Sequence, residues 1–289
     1  MKKVFAFALA AVLAFAAFAL AGCGQGEGQG SDGGTMDGVR VSFIDVGKGD
    51  CILVQAGGSA ALIDTGYDST SDEVLSYLSD LGVSRLDWVV LTHYDQDHVG
   101  GLRAIGEKLD IGTVFLPGYV GKDKNYKTAM SAIEGLGLAT QLVTERLHLK
   151  LGDYDFDLFP PGVEYDPGSK GEEGNDNDCS LVASLTGDGA SFLFAGDLEE
   201  DGIAAYLEDD HGRFDVVKMP HHGRKASLTD EFLEDVRPQI AIITDSKDDP
   251  ADKKTLKMLD AIDAEAYRTG TYGTITVQCD GTGGYSVSN

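Results

Sequence analysis

The chain has 289 residues, 42% of them hydrophobic and 25% charged, which excludes a wholly disordered protein and fits one large domain or two small ones. Gly is abundant at 38 residues, but no Gly-every-third repeat occurs, so a collagen-like rod is excluded. A formal charge of −25 makes a surface that repels nucleic acid and anionic lipid at long range, so phosphate chemistry here needs a metal or local cations.

Lys2 and Lys3 precede an apolar run from Val4 to Leu20, and Leu20-Ala21-Gly22-Cys23 follows. A short cationic stretch, an apolar run and a small-residue site read as an export signal over residues 1–22. The last four residues resemble a bacterial lipobox, in which cleavage precedes the Cys and Cys23 becomes the lipid-bearing first residue. A plain signal peptide or an uncut anchor is the alternative. On the lipobox reading the protein sits on the extracytoplasmic side of a membrane, held by lipid alone. Residues 23–38 are then a lipidated Cys and a flexible Gly-rich tether, and the folded domain spans 39–289. Loss of Lys2 and Lys3 leaves 21 basic against 48 acidic residues, a charge of −27. No later apolar run reaches the roughly 18 residues of a membrane span. Cys51, Cys179 and Cys279 form no CxxC pair. Their odd number leaves at least one thiol free, and Cys51 and Cys179, beside apolar runs, read as small buried hydrophobes.

Alternation and β-branching predict strands over Val39–Asp45, Cys51–Gln55 and Ala60–Ile63, with Gly47–Asp50 as a turn. Val74, Leu75, Leu78 and Leu81 give a helical spacing over Asp72–Leu81. A strand follows at Trp88–Leu91, a helix at Gly101–Leu109, a strand at Val114–Leu116 and a helix at Lys127–Leu136. Gln141–Leu151 and Tyr154–Phe159 read as paired β segments around Gly152-Asp153. Pro160–Asp178 is a polar acidic insertion without apolar period. Strands at Leu181–Leu185, Ser191–Ala195, Phe214–Lys218, Ile240–Ile243 and Thr274–Val277 alternate with helices at Leu198–Leu207, Leu228–Val236 and Lys253–Ala264. Two β-rich halves with outer helices and no long linker predict one α/β domain of layered sheets.

Chemistry concentrates in Thr92-His93-Tyr94-Asp95-Gln96-Asp97-His98-Val99-Gly100-Gly101, after a strand and before a helix. Two His and two Asp lie within six residues, in a chain with six His overall. Imidazole and carboxylate together suit zinc, manganese or iron. Three further sites also follow strands: Asp64 in Asp64-Thr65-Gly66, Asp197 in Ala195-Gly196-Asp197, and His221-His222-Gly223. Singly each reads as a cap, a turn or a surface pair. Four strand ends delivering ligands to one rim predict a metal centre.

This ordered set resembles the metallo-β-lactamase superfamily over residues 39–245, and is most similar to the hydrolase domain of ComEC-type competence proteins. Phe43–Asp50 and Asn177-Asp178-Cys179-Ser180 resemble two further motifs of that group. The resemblance implies an αββα sandwich and a two-metal hydrolase, with zinc or manganese as the ions. It places His93 and Asp95 on the first metal, Asp97 and His98 on the second, and Asp197 as the bridge. One His of the pair matches the last second-metal ligand, His222 being preferred because it precedes Gly223, with His221 the alternative. Asp64 matches an acid that supports the site from behind, and Asp45 and Asp50 lie in the opening motif that shapes the rim.

Two departures stand out. Asp95 occupies a position where His is usual, and the first-metal His between residues 99 and 197 is missing, with Asn177 or Asp178 as its replacement. Both departures match the ComEC-type pattern and enrich the first site in oxygen, favouring manganese or magnesium over zinc. The implied reaction is hydrolysis by a metal-activated water, with Asp97 orienting that water and taking its proton. A phosphodiester, including single-stranded DNA, is the implied substrate, and Arg224 and Lys225 beside the His pair are candidate phosphate contacts. Further basic residues gather at Lys122, Lys124 and Lys127 and at Lys247, Lys253, Lys254 and Lys257. Hydrolysis of an ester, amide or lactam, or a non-catalytic metal-binding surface role, are the alternatives. No protein partner can be inferred.

Overall fold

The computed structural model describes residues 38–168, 174–209 and 211–289. The segment read as an export signal, Cys23 and nearly all of the stretch read as a tether lie outside these residues. No helix among the described residues is long and apolar enough to cross a membrane.

The first sheet opens with an antiparallel meander of β1 (Val39–Phe43), β2 (Ile52–Ala56) and β3 (Ser59–Ile63). It continues with β4 (Arg85–Val90), β5 (Asp110–Pro117) and β6 (Thr140–Val143), each parallel to its predecessor. The second sheet repeats that plan. An antiparallel run of β7 (Leu147–Leu151), β8 (Tyr154–Phe159), β9 (Val182–Gly187) and β10 (Ala190–Phe194) precedes parallel β11 (Val216–Lys218), β12 (Ile240–Ile243) and β13 (Glu265–Arg268). The chain then returns to the first sheet as β14 (Ile275–Cys279), beside β1, and β15 (Tyr285–Ser288).

Strand alternation builds four layers. In β10, Phe192 and Phe194 face the other sheet, where Phe43, Ile52 and Val90 join them in one buried cluster. Leu193 between them packs outward with Ile203, Phe232 and Leu259 from α5 (Glu200–Tyr206), α6 (Thr229–Val236) and α7 (Lys253–Ala261). On the first sheet Leu53, Leu62 and Val89 likewise point outward, under Val74 of α1 (Ser71–Asp80), Val99 of α2 (Gln96–Val99), Ile105 of α3 (Leu102–Gly106) and Ala129 of α4 (Lys124–Leu136). A last short turn, α8 (Thr269–Tyr272), follows β13. The arrangement is the αββα sandwich that the motifs imply.

One segment differs from the sequence reading. Gln141–Leu151 is not a single β segment, because β6 and β7 belong to different sheets and the chain crosses between them at residues 144–146. Alternation marks both halves as extended but carries no information on which neighbour each pairs with. The strands β13 and β15 escape the pattern because each is only four residues long and lies at a sheet edge, half solvated. Cys51, Cys179 and Cys279 are buried and unpaired.

Candidate metal centre

The parallel strands end at one rim, and the loops there are bonded to each other. Thr65 N donates to His98 O at 2.7 Å, Gly66 N to Asp50 O at 2.8 Å, Asp50 N to Asp97 O at 3.1 Å and Leu181 N to Thr92 O at 2.8 Å. Gly101 makes the closest approach possible. A Cβ there would sit 2.3 Å from Thr65 O, so any side chain would push α3 off the Asp64–Gly66 loop. Asp64, His221 and His222 hold left-handed backbone, with φ of 56°, 43° and 53°. Such a conformation costs an L-residue about 1–2 kcal/mol and is kept where surrounding contacts require it.

Three imidazoles share one construction. His98 Nδ1 bonds Asp64 Oδ2 at 2.7 Å. His93 Nδ1 lies 3.1 Å from Thr92 Oγ1, whose own proton goes to Asp64 Oδ2 at 2.7 Å. His222 Nδ1 lies 3.1 Å from Thr244 Oγ1, whose proton goes to Asp50 Oδ1 at 2.6 Å. Because each hydroxyl has given its proton to a carboxylate, it accepts from the imidazole, which fixes Nδ1 as the protonated nitrogen. All three Nε2 atoms are then aimed at one pocket, buried and without a hydrogen bond. Buried polar atoms are ordinarily satisfied, so three converging orphans call for a ligand with acceptor sites for lone pairs. This is how histidines are oriented on a metal.

Carboxylates complete the pocket. Asp197 Oδ2 stands 3.0 Å from His222 Nε2 and 3.4 Å from His98 Nε2, and Asp97 Oδ2 stands 3.5 Å from His222 Nε2. Ligand atoms of His93, His98 and Asp197, and again of Asp97, His98 and His222, lie within 4.8 Å of one another. Nitrogen and oxygen donors at this spacing fit divalent transition metals. His98 has one free lone pair and serves one ion. Asp95 is half exposed, with Oδ2 3.8 Å from His93 Nε2. Burial, followed by the charge of Asp97, raises its pKa to about 6. Burial works against ionising Asp97, but the neighbouring His222 and the charge of His98 outweigh it and hold the carboxyl well below its usual range. Burial likewise opposes a proton on His98, yet Asp197 and Asp64 outweigh it and raise its pKa. An incoming cation must displace that proton.

The remaining sequence candidates stand around this pocket. His221 is outside both ligand groups; its Nδ1 lies 2.9 Å from Glu199 Oε1, and its ring is 18% exposed. Asn177 Nδ2 donates to the same Glu199 oxygen at 3.0 Å, leaving a buried Oδ1 without a partner. Asp178 Oδ1 accepts Glu199 N and Gly202 N and so anchors the start of α5. Arg224 makes a bidentate pair with Asp249, 2.8 Å to each oxygen, and Lys225 Nζ donates to Ala226 O. Asp45 is exposed and closes a turn onto Gly47 N, whereas Asp50 is buried behind the imidazoles.

Sequence reasoning missed Glu199, the two threonines and, above all, Lys218. Threonine is too common after a strand to draw notice. Lys218 carried a usable signal, since a Lys closing an apolar strand directly before a His pair is at odds with burial. Its side chain is fully buried, 2.5 Å from Asp50 Oδ2 and 3.3 Å from Asp197 Oδ1. Burial opposes its charge, but Asp50 and Asp197 outweigh that and raise its pKa.

Known proteins resemble this chain in sequence and in fold. The chain is 31% identical over 259 residues to ComE operon protein 3 of Bacillus subtilis, covering 82% of this chain and 32% of that protein. It is 29% identical over 205 residues to competence protein ComA of Neisseria gonorrhoeae, covering 70% and 26%. The chain thus spans about a third or less of the length of these relatives. Among solved structures, the metallo-beta-lactamase fold protein YhfI of Bacillus subtilis matches with a TM-score of 0.54 at 14% identity, covering 80% of this chain and 96% of that one. Igni18, a metallo hydrolase of Ignicoccus hospitalis, matches with a TM-score of 0.53 at 17% identity, covering 82% and 98%. A sequence model of the metallo-beta-lactamase superfamily matches residues 44–243. With the sandwich and the rim cluster, that match shows that the chain belongs to the metallo-beta-lactamase superfamily.

Proposed function

We propose that the chain is an exported, lipid-anchored, metal-dependent hydrolase that cleaves phosphodiester bonds. The observation that carries this reading is the convergence of three orphaned Nε2 atoms with the Asp97 and Asp197 carboxylates. Divalent ions held there, zinc or manganese, would acidify a water and stabilise charge on a phosphoryl oxygen. Asp97, ionised and 17% exposed, reaches the mouth and takes the proton of the attacking water on a carboxylate oxygen. His221 supplies the second proton transfer. Glu199 pairs with its Nδ1, which leaves Nε2 to protonate the departing alkoxide. A groove beside it is lined by Glu199, Arg224 and Lys225, where the two cations would receive a flanking phosphate against the excess of acids. The relatives that match are competence proteins, which agrees with a nucleic-acid-like diester. The formal charge of −25 favours a short or single-stranded substrate over a duplex.

The test compares bis(p-nitrophenyl) phosphate with a chromogenic β-lactam, using protein loaded with manganese or zinc, in the parent and in His221→Ala. The diester should turn over and the lactam should not. On a diester with an alkoxide leaving group, such as a dinucleotide, His221→Ala should lower kcat roughly 10²–10⁴-fold with metal content unchanged. The nitrophenolate of the chromogenic diester leaves without a proton, so its turnover should fall far less. Lactam turnover without diester cleavage would overturn the substrate class, and loss of metal in His221→Ala would make that residue a ligand instead.

A further inference from the structure

Lys218 sits where a lysine is costly. It ends β11 after two buried valines, and its side chain is wholly removed from solvent. An ammonium in such a place persists only with full compensation. Its three protons have three acceptors: Asp50 Oδ2 at 2.5 Å, Gly196 O at 2.9 Å and Asp197 Oδ1 at 3.3 Å. No donor remains for a substrate. The other oxygen of Asp197 faces the imidazoles of His98 and His222. The other oxygen of Asp50 accepts the Thr244 hydroxyl that orients His222. The ammonium therefore joins the one carboxylate that enters the pocket to one that supports it from behind.

We propose that Lys218 is a fixed cation of the metal centre, which holds Oδ1 of Asp197 out of the pocket and, balanced by Asp50, sets how strongly the centre holds divalent ions. The inference rests on the metal-binding reading above. Asp50, Asp64, Asp95, Asp97 and Asp197 bring five carboxylates to one rim. Without an internal cation, Oδ2 of Asp50 and Oδ1 of Asp197 would lose the charge that lies between them in the metal-free protein. With it, the fold closes before metal arrives, and the ions that bind feel one negative charge fewer. Asp50 cancels most of the ammonium's repulsion, so the two charges reveal themselves only when removed separately and together.

The experiment is a Mn²⁺ titration of the parent, Asp50→Asn, Lys218→Met and the double variant, with the melting temperature of each metal-free protein alongside. Asp50→Asn leaves the ammonium uncompensated and should weaken Mn²⁺ binding by at least about tenfold. Adding Lys218→Met should return the affinity to within about threefold of the parent. Lys218→Met alone should tighten binding and lower the metal-free melting temperature. If the double variant binds as weakly as Asp50→Asn, the charge of Lys218 does not govern the ions and the proposal falls. If Lys218→Met does not fold, the comparison of Asp50→Asn with the double variant decides. A parent that binds no Mn²⁺ would defeat the metal-binding reading itself, and this inference with it.

Discussion

Asp97→Ala should lower phosphodiester hydrolysis roughly 10²–10⁴-fold and reduce metal content while leaving the protein folded. The expectation follows from its position. Asp97 lies in the first turn of α2, its Oδ2 lies 3.5 Å from His222 Nε2, and part of its side chain reaches solvent. Its side chain makes no hydrogen bond within the core, and alanine keeps its backbone bond to Asp50, so folding should survive the change. Its carboxyl stays ionised because the neighbouring His222 and the charge of His98 outweigh burial, which suits both a ligand and a proton acceptor. Metal analysis, diester assay and thermal melting on one preparation check all three parts. Full turnover in the variant would remove Asp97 from the chemistry.

Asp64→Ala should be the more damaging change to the fold. Asp64 accepts Thr92 N at 2.8 Å, Thr92 Oγ1 at 2.7 Å and His98 Nδ1 at 2.7 Å, at a fully buried position. Alanine leaves three donors unpaired. It also frees the Thr92 hydroxyl to rotate, which removes the acceptor that orients His93. The expected loss is about 3–5 kcal/mol of stability, the scale seen when one partner of a buried charged pair is removed. Metal affinity should fall about 10–100-fold, as it does when an outer support of a ligand is lost. Urea unfolding and a Mn²⁺ titration measure the two effects. A loss below about 1 kcal/mol would be that of a solvated turn residue and would contradict the buried role.

Both predictions rest on residues already conspicuous in the sequence, which shows where a sequence is readable. The rim cluster is legible because its ligands are contiguous (His93 to His98) or stand directly after apolar runs (Asp64, Asp197, His222). Chain order and strand ends suffice to gather them. The sandwich is legible for a related reason, since Phe192, Leu193 and Phe194 alternate between two apolar environments. What the sequence hides is pairing at a distance. Asp50 and Thr244 are 194 positions apart and read as a turn acid and a strand-end hydroxyl, yet they set the tautomer of His222. Lys218 and Asp50 form a buried ion pair that no local pattern announces. The crossing between β6 and β7 is hidden likewise, because alternation records that a segment is extended and not which sheet receives it.

The most direct test of the account is the divalent metal content of the full protein, purified without chelator and then loaded with manganese or zinc. The three Nε2 atoms, Asp97 and Asp197 predict at least one tightly held ion per chain, and a second upon loading, as a bridging carboxylate allows. No ion retained after loading would contradict the account, and the converging imidazoles would then need another ligand.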